Sequence, residues 1–220
     1  MWKKISACLA VLLLAGCQTG YYKEITAGWD GINTRNYVKT EAEMEKIQAL
    51  GKDLSNYDLS YVKYTLAVAK GHLCKTDEAG QLFKESIALE TKVSGEYSLN
   101  MGKRYHEAGR MYYAAERYEE AAFYFSRWLE VVDRMYQYQE GLGPVNFSWA
   151  LHLYADALEK SGKAQEAEKV RGREKRIIEM NRTSRGMDAY LENKDVIPPG
   201  VRVQFYPKSS DCGKENPVKE

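Results

Sequence analysis

The chain is poor in proline, histidine and cysteine, and each scarcity excludes something. Five prolines are spread over 220 residues, and Pro144 is the single one between Asp58 and Arg185. A stretch of that length, without strand-like alternation and with one helix breaker, reads as helical almost throughout. Charge of one sign is also lacking: 32 basic residues face 31 acidic ones, for a formal charge of +1. That balance gives no electrostatic reason to expect nucleic acid as a partner. No apolar run reaches the roughly 20 residues that a membrane-spanning helix needs. GxSxG, HExxH and phosphate-loop motifs are all missing, so catalysis has no recognisable motif to rest on. No CxxC pair suggests a metal, and nothing implies a cofactor.

What the chain does have begins at its first residues. Lys3 and Lys4 form a positive start, an apolar stretch runs from Ile5 to Leu14, and small residues follow. This is the layout of a secretory signal. Leu14-Ala15-Gly16-Cys17 resembles the bacterial lipobox, the site where a cysteine is lipidated before the signal is cut. The resemblance implies that residues 1–16 are removed and that Cys17 becomes a mature N-terminus carrying a diacylglycerol thioether and an acylated amine. One acyl chain binds a membrane marginally, whereas two or more anchor it stably. Gln18 follows Cys17. Lipoproteins kept at the inner membrane resemble one another in carrying Asp there, so Gln18 points to the outer membrane, on its periplasmic face, ahead of the inner membrane or the cell surface. Cleavage leaves 204 residues with a formal charge of −1, enough for one or two domains with a core.

Of the four cysteines, Cys8 leaves with the signal and Cys17 takes the lipid. Cys74 and Cys212 remain. In an oxidising periplasm such a pair is readily a disulfide. A metal or nucleophile site is the functional alternative, and their wide separation favours the structural reading.

Residues 17–39 hold three glycines, but also Tyr21, Tyr22 and Trp29. They are expected to form a tether that packs in part. Thr40 with Glu43 has the spacing of a capping box, which predicts a helix from there to about Leu50. The helical region proper contains a repeat. Ala67 is followed after twelve residues by Ala79, Gly109 by Ala121, and Ala155 by Ala167. Small residues at matched positions let paired helices approach closely. Three residues after the first anchor stand Lys70, Tyr112 and Leu158. Four after the second stand Phe83, Phe125 and Arg171.

This pattern resembles the tetratricopeptide repeat. The match is best in Tyr105–Phe125, where Tyr105, Gly109, Tyr112, Tyr118, Ala121 and Phe125 take the family's large and small positions. Lys70 and Arg171 depart from it, each replacing an aromatic. The anchors recur after 42 and then 46 residues, against about 34 in the usual repeat. The resemblance implies an all-α fold of antiparallel helix-pair repeats in a right-handed superhelix. The helical domain would span 40–185, with repeats at about 61–92, 103–137 and 149–178. Gly141-Leu142-Gly143-Pro144 marks a break. The Thr40 helix is expected to cap the front. A charged helix from Ala164 to Arg185 would cap the back through Ala164, Ala167, Val170, Ile177 and Ile178. Residues 186–220 read as an irregular extended tail, with Pro198-Pro199-Gly200 as a turn and 201–206 as a strap along the helices.

By the same resemblance the first helix of each pair lines a concave groove. This assigns Tyr61, Tyr64, Val68 and His72 to the groove in the first unit. Lys103, His106, Arg110 and Tyr113 follow in the second, and Trp149, His152, Asp156 and Glu159 in the third. All three histidines thus share one predicted surface, but at a repeat spacing too wide for joint metal ligation. Asp156 and Glu159 read as surface charges rather than an acid pair. The basic run Arg171, Arg173, Lys175 and Arg176 is interleaved with Glu168, Glu174 and Glu179 and reads as a solvated face. The expectation is a non-enzymatic scaffold docking a protein or peptide partner in the envelope. In architecture it resembles repeat lipoproteins that assist pilus, secretin or outer-membrane barrel assembly. A peptidoglycan- or small-ligand-binding lipoprotein and an envelope hydrolase are the alternatives.

Overall fold

The computed structural model describes residues 19–49, 54–194 and 205–213. The signal segment, Cys17, Pro198-Pro199-Gly200 and the strand-like part of the strap before Phe205 lie outside the described residues. Among the described residues there are nine α-helices and no strand: α1 (Thr19–Asn33), α2 (Tyr37–Ala49), α3 (Asn56–His72), α4 (Thr76–Ser94), α5 (Leu99–Ala114), α6 (Tyr118–Arg134), α7 (Tyr136–Lys160), α8 (Ala164–Met180) and α9 (Met187–Glu192). One 3₁₀ turn covers Ser209–Asp211. No described helix is long and apolar enough to cross a membrane.

From α1 to α8 each helix packs on the next, tightest within the pairs α3/α4, α5/α6 and α7/α8; α3, α5 and α7 also touch in series, and α9 packs on α7. The fold is therefore an all-α array of tetratricopeptide-like helix pairs. The anchors explain the close pairing. Ala67, Ala79, Ala121 and Ala155 are wholly buried and Ala167 nearly so. A Cβ on Gly109 would stand 2.9 Å from the Phe125 ring. Side-chain caps start the first helices of two pairs: Ser55 accepts from the Asp58 amide and Ser98 from the Met101 amide, both at 3.1 Å. The turn inside each pair repeats as well. Cys74, Glu116 and Gly162, seven residues past their anchors, have φ of 62°, 60° and 81°. The next amide in each case reaches back to the same carbonyl: Lys75 to Lys70, Arg117 to Tyr112, Lys163 to Leu158, at 2.8–2.9 Å. This is the left-handed ending that closes helix C-termini.

Four features differ from the sequence reading. The segment 17–39 is helical from Thr19, and α1 packs on α2 and α3. Thr40 does not cap a helix. Helix α2 already begins at Tyr37, Asn36 Oδ1 accepts from the Lys39 amide at 3.2 Å, and Thr40 is buried, donating to the Gly28 carbonyl at 3.2 Å. The expected break at residues 141–144, by contrast, is present, as a kink where two helical stretches meet within α7. Gly143 leaves helical space at φ 68° and ψ 157°, and Pro144 follows as the helix resumes, a position where its missing N–H costs nothing. The back helix stops at Met180 rather than Arg185, with the Asn181 amide group donating to the Ile177 carbonyl at 2.9 Å. The tail then forms α9, because Met187 and Tyr190 bury completely.

Charge also builds the core. Lys70, which stands where the repeat usually has an aromatic, meets Glu41, Glu78 and Glu45 at 2.7, 2.8 and 2.9 Å. Burial alone would lower its ammonium, but these three carboxylates outweigh it and hold Lys70 above its ordinary pKa. Two of the three come from α2, so α2 caps the array by ionic contact. Arg104 on α5 donates to Ser86 on α4 and Ser60 on α3, both at 2.8 Å, and pairs with the buried Glu90 at 3.1 Å. One guanidinium thus ties the first repeat to the second.

Candidate docking groove

The sequence-assigned groove residues do lie on the first helices of the pairs, but most are already covered. Tyr61 and Tyr64 sit under Trp29 of α1, with ring centroids 5.6 and 6.1 Å apart. Val68 is buried. His72 lies between two tyrosine rings: Tyr37 of α2 at 4.1 Å and Tyr206 of the C-terminal segment at 4.2 Å, both stacked. The chain's own two ends therefore occupy the concave face at the first repeat.

The central position belongs to Arg110, 4% exposed. It pairs with Glu107 at 2.6 Å and spreads over the rings of Trp149 and Tyr206, at 5.3 and 5.6 Å. The Tyr206 hydroxyl donates to Glu107 at 3.1 Å. Burial would push the Glu107 carboxyl up, but the adjacent Arg110 guanidinium outweighs it and keeps it below its usual range. Burial pushes His72 and His106 down to about 4, so both are neutral near pH 7. His106 packs on Trp128, Phe125 and Trp149.

Beyond Tyr206 the groove stays open as a cavity of about 660 Å³ between α5, α7 and the segment 205–211. Tyr113 donates to Asp156 at 2.5 Å, and Lys160 pairs with the same oxygen at 2.8 Å. Burial and the Asp156 bond raise Tyr113 above its ordinary pKa. Burial would raise Asp156, but bonds from Lys160 and Tyr113 lower it on balance. Trp149, 1% exposed, forms part of the wall, with Phe205 edge-on at 5.9 Å. Lys208 and Asp211 complete the rim.

So the structure brings His72, Arg110, Tyr113, Trp149 and Asp156 to one concave stretch. Lys103 is exposed and outside the cavity wall. His152 faces the back of the array, 3.9 Å from the buried Glu174, to which Tyr190 and Lys194 of the α9 region also bind, at 2.7 and 2.6 Å. Glu159 pairs with Arg171. The other basic residue of that run with a partner across helices is Arg173, which pairs with Asp133. Among the described residues no three His, Cys, Asp or Glu side chains gather to hold a metal. Cys74 and Cys212 are joined by a disulfide, with Cα atoms 5.7 Å apart. Cys74 occupies the left-handed turn after α3, so the bond ties the C-terminal segment to the first repeat.

Sequence reasoning overlooked Glu107, Lys160 and the groove-filling roles of Trp29, Tyr37 and Tyr206. One signal was available. Gly71 holds the groove position that Tyr113 and Glu159 hold in the other units. A Cβ there would stand 2.7 Å from Tyr206 and 3.1 Å from Met111.

Paired helices, matched small anchors and a concave first-helix face define a tetratricopeptide-like repeat array. Residues 58–133 match the tetratricopeptide repeat family, while no curated protein matches the chain. Among solved structures, BtubC (BKLC) from P. vanneervenii is similar, with a TM-score of 0.57 at 19% identity over 79% of this chain. This chain spans 65% of the length of that one. A Podosopora anserina structure of nearly identical TPR-like repeats, described as a kinesin light chain, gives 0.58 at 16% identity, covering 74% of this chain and 75% of its own. These likenesses establish the fold.

Proposed function

We propose that this chain is a lipid-anchored scaffold on the periplasmic face of the outer membrane, docking a protein partner of envelope, pilus or secretion assembly without catalysing a reaction. The repeat array supports the docking part, since such arrays present extended concave surfaces. The carrying observation is the open cavity beside Tyr206, walled by Arg110, Tyr113 and Trp149. Aromatic and Arg side chains in a partly desolvated recess are the residues that anchor interfaces. The lipobox resemblance at Cys17 supports the anchor, and the Cys74–Cys212 disulfide suits an oxidising compartment. The non-enzymatic reading draws on the site's electrostatics. Tyr113 is held protonated, Asp156 ionised and Lys160 charged, so none is poised to exchange a proton near neutral pH.

Photo-crosslinking amino acids at Tyr118 and Lys208, on the cavity, and at Phe123, exposed on α6, test the docking. Cross-links from the first two positions into one envelope protein, and none from Phe123, are the expected result. Equal labelling from all three would remove the groove as the docking site. The cavity's bounded size favours a second reading, a small ligand or cell-wall fragment. Sedimentation with purified peptidoglycan, lost in Arg110→Ala, would favour it. For the anchor, Cys17→Ser is expected to release the protein from membranes; continued membrane fractionation would contradict lipidation at Cys17.

A further inference from the structure

The segment that fills the groove is a poor fit for a purely structural tail. Of Phe205 to Gly213, Tyr206 alone is buried, at 5% exposure, while Phe205 is 51% exposed and residues 208–211 are exposed. Yet Tyr206 is received by a complete binding seat. His72 stacks on its ring, Arg110 lies over it, Glu107 accepts its hydroxyl, and Gly71 leaves the space it needs. The seat adjoins the open cavity, which Arg110 also lines. Six residues after Tyr206, the disulfide to Cys74 fastens the strap at the rim. A seat on the concave face that reads a tyrosine in an extended segment, filled by one side chain and locked by one covalent bond, is arranged for exchange.

We propose that the Tyr206 seat is the docking site of the array, that it accepts an extended partner segment presenting a tyrosine, and that the Cys74–Cys212 bond decides whether strap or partner occupies it. This deepens the docking reading and rests on it. Opening requires a dithiol reductant. One of its thiolates attacks a sulfur of the bond, forming a mixed disulfide and releasing the other cysteine as a thiol. Its second thiolate then expels the remaining cysteine, leaving two protein thiols and an oxidised reductant. Once the bond is open, the strap competes only through its local concentration as a segment of the same chain, on the order of millimolar.

The probe is a fluorescent peptide of residues 203–209, Val-Gln-Phe-Tyr-Pro-Lys-Ser, titrated into the full-length protein in detergent. Oxidised protein is expected not to bind it. Reduction with dithiothreitol, or Cys212→Ser, tightens binding at least tenfold. Tyr206→Ala, with the disulfide intact, binds without reduction, and a peptide with alanine for its tyrosine fails throughout. Equal affinity before and after reduction overturns the proposal. So does absence of binding to all three opened forms while their circular dichroism is unchanged. Dimerisation on reduction, abolished by Tyr206→Ala, would mean that a second copy's strap takes the seat, and overturns the partner assignment. Cellular cross-links from Lys208 that persist without redox-gated peptide binding refute the gate and leave docking standing. Gated peptide binding without cellular cross-links supports the seat and removes only the envelope-scaffold reading.

Discussion

Single residues in this array carry conformational and electrostatic loads that can be separated. Glu116 adopts φ 60° in the same turn position that Gly162 fills at 81°. A left-handed L-residue costs roughly 1–2 kcal/mol, and glycine returns about 0.5–1 kcal/mol of that through greater unfolded-state entropy. Glu116→Gly is therefore expected to stabilise by about 0.5–1 kcal/mol in thermal unfolding; a lower midpoint would show that the turn is unstrained. The histidines carry a pH dependence. His72 and His106 fall to about 4 in the fold through burial, against about 6.5 when unfolded. Between those values the unfolded chain binds more protons, so stability drops as pH falls from about 6.5 towards 4. Each contributes at most about 3 kcal/mol at 1.36 kcal/mol per pKa unit. His72→Phe keeps the stack with Tyr37 and Tyr206 and removes one titration. Urea unfolding at pH 7 and pH 5 should show the acid loss cut to about half; an unchanged loss would place the titration elsewhere.

At the scale of elements, small apolar anchors set the helix pairs, and ion pairs add joints within and between them. Arg104 joins α3, α4 and α5 through Ser60, Ser86 and Glu90, all buried. Removing one partner of such a pair leaves a buried charge uncompensated, which costs about 3–5 kcal/mol. Arg104→Ala should therefore lose about that much in denaturant unfolding, and the loss should shrink when Glu90→Gln is added. Strictly additive losses would deny the coupling. This separation also explains what was legible in the sequence. The pairs were, because their anchors are small residues at a fixed spacing and the constraint is local. The ionic joints were not: Lys70 read as a departure from the repeat, and Glu174 as one charge in a solvated face, since their partners lie on other helices. Thr40 misled for a related reason. Its spacing to Glu43 fits a cap, but Gly31 on α1 leaves room for it and the Gly28 carbonyl accepts its hydroxyl. The proposed groove positions fall on α3, α5 and α7, and their covering by Trp29, Tyr37 and Tyr206 was hidden by distance along the chain.

Over the whole molecule, the disulfide changes what kind of array this is. Repeat arrays are nearly one-dimensional, each unit touching its neighbours, so end units can open alone. Here the bond spans 138 residues, from the turn after α3 to Cys212 in the C-terminal segment, enclosing the second helix of the first pair, both other pairs and α9. On the chain-entropy account a loop of that length contributes about 4–5 kcal/mol. The same bond holds Tyr206 across α3 and α5, touching both His72 and Glu107, so it joins repeats at their concave edges as well as through their cores. Oxidised protein should thus unfold in one transition, with circular dichroism and tryptophan fluorescence coincident. Cys74→Ser should lower stability by up to about 4–5 kcal/mol and separate the two curves. Trp128 and Trp149 lie in the second and third pairs and are fully buried, so in a Trp29→Phe background fluorescence reports those pairs while circular dichroism averages over all. Coincident curves in Cys74→Ser, displaced but not split, would show that the helix-to-helix contacts alone make the array cooperative and that the bond acts only on the unfolded chain.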